Sequence, residues 1–139
     1  MPIIHPEDPI RLLVSVPMVS MELHASIAEL AAKIDLEQVG AVAVMSGDHL
    51  DGVVSERDIV RALAAHGEPE DVWAADVMTA EPVHVDGDDS ILDAAQLMLD
   101  EGVRHLPVMS NGHVLGVVSV RDVLRVLTDA WRRSFHHQT

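Results

Sequence analysis

The chain has no cysteine among its 139 residues, which excludes disulfides, thiolate metal centres and cysteine nucleophiles. Aromatic residues make up only 2% of it, with no tyrosine at all. Its 48% of hydrophobic residues is therefore carried by Val, Leu, Ile, Ala and Met, as expected of short buried strands covered by helices. Positive charge is scarce as well. Nine basic residues stand against 23 acidic ones, a formal charge of −14, and such a surface repels DNA, RNA and anionic membrane. No apolar run approaches the length that spans a bilayer. The stretch Met1–Leu13 contains Glu7 and Asp8 and lacks a basic region followed by an apolar core, so no secretory leader is expected and the expected compartment is the cytoplasm. No glycine-rich phosphate loop, dinucleotide fingerprint or Ser, His and carboxylate arrangement is found, and no enzyme activity is expected.

What the chain does have is one unit written twice. Gly52-Val53-Val54-Ser55-Glu56-Arg57-Asp58-Ile59-Val60-Arg61 recurs as Gly116-Val117-Val118-Ser119-Val120-Arg121-Asp122-Val123-Leu124-Arg125. A shift of 64 positions matches 14–63 with 78–127 without a gap, and 18 of the 50 pairs are identical, where composition alone gives about three or four. The expected organisation is a lead-in 1–13, a first repeat 14–66, an acidic linker 67–77, a second repeat 78–130 and a tail 131–139.

Within each repeat the pattern predicts strand, helix, strand, strand, helix. Short extended stretches lie around Val19–Met21 and Val83–Val85; capping boxes at Ser26–Glu29 and Ser90–Asp93 open helices that run to about Leu36 and Asp100, with Gly102 as a terminator. Turn residues at 46–49 and 110–113 join two apolar runs into a hairpin. A second helix starts at each Ser-x-Arg-Asp and ends near His66 or Asp129. The three prolines Pro2, Pro6 and Pro9 predict an extended lead-in that packs on the body or on a partner, and Val72-Trp73 is expected to dock on the body. One repeat alone buries too little surface to be comfortable by itself, and two packed sheet to sheet solve that.

The repeated motif has two readings. Ser-x-x-Asp is a capping box. It is also a helix N-terminus, which favours an anion, and Arg57 with Arg61, or Arg121 with Arg125, adds cations one turn apart on one face. That suits a phosphate. Four of the eight arginines lie in these two stretches, so a nucleotide is compatible with an acidic body that a polyanion is not.

The duplication, the element order and the Gly-Val-Val-Ser-x-Arg-Asp strand ends together resemble a CBS (cystathionine beta-synthase-type) domain pair over Val14–Ala130, with Val103-Arg104-His105-Leu106-Pro107-Val108-Met109 close to the family's most recognisable run. The resemblance implies an α+β fold: tandem β-α-β-β-α repeats packed through their sheets with pseudo-twofold symmetry, clefts between them, and frequent homodimers. It also implies a stand-alone, non-catalytic sensor of adenosine compounds such as AMP, ADP, ATP or S-adenosylmethionine, with no required cofactor. By the same resemblance Asp122 and Asp58 hold ribose, Ser119, Ser55, Arg121 and Arg57 meet phosphate, and Thr79–Val83 and Ser15–Val19 line the adenine slot. His105 and Pro107, replaced by Ala41 and Ala43 in the first copy, and Glu56, a carboxylate beside a phosphate position, make the two sites unequal and favour the second. His105 either meets the base or is simply packed. The alternative function is an interaction module with empty clefts that acts through dimerisation and an unknown protein partner. His136 and His137 lack a third ligand, so no metal site is expected, and the tail reads as a frayed helix end or a partner contact.

Overall fold

The computed structural model describes residues 2–15 and 17–137, the side chains of His66, His136 and His137 excepted. The first repeat comprises β1 (Ser20–Met21), α1 (Ile27–Glu37), β2 (Ala41–Ser46), β3 (His49–Ser55) and α2 (Glu56–His66). A short α3 (Ala74–Val77) and β4 (Thr79–Ala80) lead to the second repeat, with β5 (Val85–Asp86), α4 (Ile91–Glu101), β6 (His105–Ser110), β7 (His113–Ser119) and α5 (Val120–His137). This is the expected α+β pair of β-α-β-β-α units.

The two hairpins have the same register. Ala41 pairs with Ser55 and Ser46 with His49, as His105 pairs with Ser119 and Ser110 with His113, each with an irregularity before the methionine, Met45 or Met109. At the second turn Asn111 and Gly112 have φ of 51° and 79°, the left-handed pair that joins twisted strands in two residues. Ser26 caps α1 with a reciprocal box through Glu29, whereas Ser90 caps α4 by accepting from Asp93 N–H (3.0 Å) without the return bond, and α4 ends at Gly102 with φ 64°.

The segments before each repeat cross over. Residues 67–77 give Val72 and Ala74 to the first core, while Ile10, wholly buried, enters the second. The contacts are equivalent at the 64-residue offset: Ile27 N–H donates to Val72 O (2.9 Å) and Ile91 N–H to Asp8 O (2.9 Å). β4 likewise pairs with β3 of the first sheet, giving strand orders β1-β2-β3-β4 and β5-β6-β7. Gly52 and Gly116 allow these crossings, because a Cβ there would lie 2.5 Å from Thr79 O and 2.5 Å from Val14 Cγ1. The sheets meet where β2 and β3 touch β7.

Three expectations need correction. The lead-in is not merely extended, since Ile10–Leu13 form a 3-10 turn that docks on the second repeat. The last helix does not stop near Asp129; it continues to His137 because Trp131 and Phe135 sit one turn apart and stack edge to face at 5.0 Å. Only half of the Val72-Trp73 pair is submerged. Val72 is buried, whereas Trp73 remains 46% exposed against the His24 ring. The His136 and His137 side chains, and Val16 of the first opening stretch, lie outside the described residues.

Candidate functional site

Each second helix grows directly out of a strand, and the junction is built by its serine and aspartate. Asp122 N–H donates to Ser119 Oγ (3.2 Å), while Ser119 N–H and Oγ–H both donate to Asp122 Oδ2 (3.0 Å each). Ser55 and Asp58 repeat the pattern at 3.3, 2.8 and 3.0 Å. The capping reading is therefore correct for both motifs. It uses one carboxylate oxygen, and among the described residues no donor reaches Oδ1 of Asp122 or Asp58, which leaves an acceptor for a ligand hydroxyl.

A cleft of about 700 Å³ opens in front of the second motif, within the size range of small-molecule sites. Ser119, Arg121, Asp122 and Arg125 form one wall, with Arg104 and His105 beside them. Ser15, Met18 and Val19 form another, and the first repeat closes the space with Gly40, Glu56 and the end of α1. Arg104, Arg121 and Arg125 form no ion pair among the described residues, so their charge is available to an anion.

Six of the residues singled out in the sequence thus share one cavity: Ser15, Val19, His105, Ser119, Arg121 and Asp122. The crossing explains the pairing, since the opening stretch of the first repeat faces the motif of the second. Thr79 does not line this cleft; it pairs with Val53, two residues before Ser55 on the strand that leads into the first motif of Ser55, Arg57 and Asp58. Pro107 is buried inside β6 opposite Val117, and Val83 is an exposed residue ahead of β5; neither lines the cleft at the second motif.

Three contributors were missed or misplaced. Arg104 carries a signal: it precedes β6 and its carbonyl accepts from Val120 N–H at 2.8 Å, so it must border the start of α5. Gly40 carries none, because its role is to leave room. A Cβ on it would lie 2.7 Å from His105 Nε2. Glu56, beside the first motif in sequence, lines the cleft of the second, with Oε1 3.2 Å from that same Cβ position.

Burial pushes the His105 imidazole below its ordinary pKa of 6.5, against the pull of Glu56, Asp122 and Asp58 and with the help of Arg104. His105 is therefore neutral at pH 7, and a neutral ring can both donate and accept.

A duplicated unit whose opening segments cross, with a polar cleft between the copies, defines a paired-repeat module. The sequence profile of the CBS domain matches residues 10–65 and 74–129: the chain belongs to the CBS domain family. It is 34% identical over 101 residues to an uncharacterized protein of Methanopyrus kandleri, covering 70% of this chain and 52% of that protein. A 17.7 kDa protein of Acidianus ambivalens is 36% identical over 114 residues, 81% of this chain and 68% of that protein. The chain thus spans about half to two thirds of these relatives. Among solved structures, a CBS domain protein from Pyrobaculum aerophilum complexed with AMP is 30% identical, with TM-score 0.76 over 86% of this chain and 98% of that one.

Proposed function

We propose that the chain is a non-catalytic cytoplasmic sensor whose cleft at the second motif binds an adenosine nucleotide, AMP, ADP or ATP. The observation that carries this reading is the meeting, in one cavity, of Asp122, Ser119 and Arg121 at a helix start with Ser15, Met18 and Val19 of the opening stretch. A carboxylate accepts from the two ribose hydroxyls, and guanidinium and helix N-terminus donate to a phosphate, to which Ser119 can turn the hydroxyl proton it gives to Asp122 here. The AMP complex of the Pyrobaculum relative supports the choice of ligand. No group of three or more potential metal ligands occurs among the described residues, and the reading needs no cofactor. Nor is any described helix long and apolar enough to cross a membrane.

The test is thermal unfolding with AMP, ADP, ATP and S-adenosylmethionine, for wild type, Asp122→Ala and Asp58→Ala. A ligand at a hundred times its Kd adds about 2.7 kcal/mol, a midpoint shift of several degrees. The expected result is a shift with a nucleotide that Asp122→Ala abolishes. No shift with any of these compounds in the wild type refutes the reading.

One observation favours a second reading, an interaction module acting through a homodimer. Val60 and Leu124, equivalent at the 64-residue offset, are 65% and 53% exposed on α2 and α5, an apolar surface suited to a second copy.

A further inference from the structure

The geometry points to Glu56 as the residue that limits how many phosphates the cleft accepts: it admits a nucleoside monophosphate and opposes a second or third phosphate. This rests on the nucleotide reading above and deepens it. His105 is the ladder partner of Ser119, so its ring follows directly on the start of α5 where a first phosphate is held. Glu56, from the first repeat, stands near that ring as well. His105 Nε2 and Glu56 Oε1 converge on one point, 2.7 and 3.2 Å from where Gly40 would carry a Cβ. Ser119, His105 and Glu56 therefore make a row that runs from the second repeat into the first, and all three line the same cavity. A ribose held at Asp122 puts its 5′ phosphate at Ser119 and Arg121; each further phosphate is carried along the row toward the carboxylate.

The charges of the cavity act the same way. Its lining carries four carboxylates, Asp35, Glu37, Glu56 and Asp122, against the guanidiniums of Arg104, Arg121 and Arg125. His105, held neutral by burial, adds no cation. One phosphate is matched by Arg121 and the helix N-terminus, whereas each further one brings negative charge toward Glu56. The offset of 64 shows what is particular here: the residue equivalent to Glu56 is Val120.

The test is titration calorimetry with AMP, ADP and ATP, with and without Mg²⁺, for wild type, Glu56→Gln, Glu56→Val and Asp122→Ala. Glu56 is exposed at a helix start, and the unliganded unfolding midpoint checks that both Glu56 variants are folded. Without Mg²⁺ the wild type is expected to bind AMP about tenfold or more tightly than ATP, one like-charge contact being enough for that ratio. Glu56→Gln and Glu56→Val should remove most of the gap by raising ATP affinity while leaving AMP nearly unchanged. An unchanged AMP-to-ATP ratio in folded variants overturns the inference while AMP binding that needs Asp122 keeps the nucleotide reading. Tighter Mg²⁺-ATP binding than AMP that is lost in Glu56→Gln also overturns it, since Glu56 would then recruit the cation. If no nucleotide binds the wild type, both readings fall.

Discussion

His105 shows how one side chain ties acidity to folding. Its pKa is lowered by burial, so below pH 6.5 the unfolded chain binds the proton more readily than the folded one, and stability falls as pH drops from the unfolded value through the folded one. Other groups titrate in that range, so the difference between wild type and His105→Gln isolates its part: the variant should lose less stability between about pH 7 and pH 5 in denaturant unfolding. The charges of Glu56, Asp122, Arg104 and Asp58 act on the ring, and a bound phosphate beside it should raise its pKa, so nucleotide binding should take up protons in mildly acidic solution. Gly40→Ala probes the same place sterically. The added methyl would press on His105 Nε2 and should cost about 1–3 kcal/mol, a cost that a simultaneous His105→Ala should relieve in a double-mutant cycle.

At the scale of elements, Gly52 and Gly116 are where the crossing strands pass. Gly52→Ala sets a methyl against a backbone carbonyl, Gly116→Ala against a valine methyl that has some freedom to move. Both should destabilise, Gly52→Ala more, by about 1–3 kcal/mol or somewhat above in chemical denaturation. The elements themselves were legible in the sequence because their signals are local: Ser26 and Ser90 at helix starts, turn residues at 46–49 and 110–113, and one motif at the end of each hairpin. The crossing was not legible. An offset of 64 says that Ile10 corresponds to Ala74, but not which copy each packs on, for that depends on the approach of distant segments. The same division holds for the cleft. Ser119, Arg121 and Asp122 announce themselves by recurrence, while Gly40 and the direction of Glu56 come from the opposite repeat, which no local pattern records.

For the whole molecule, the crossing makes each core depend on both halves of the chain. Ile10→Ala should cost about 2–5 kcal/mol, and hydrogen exchange should show the loss in β6 and β7 of the distant repeat rather than in neighbouring β1. Exposed Val60 and Leu124 carry a separate expectation: light scattering should find a dimer, and Leu124→Glu should weaken it without unfolding the subunit. The exchanged openings also give the chain a timetable. On the ribosome the first core is complete once α3 and β4 have emerged, so that half is able to close while the other is still being made. Ile10, synthesised long before its partners, waits unburied until β6, β7 and α5 exist to receive it. The second repeat thus locks onto a segment translated well before it, and the pair is fastened only when α5 has been made.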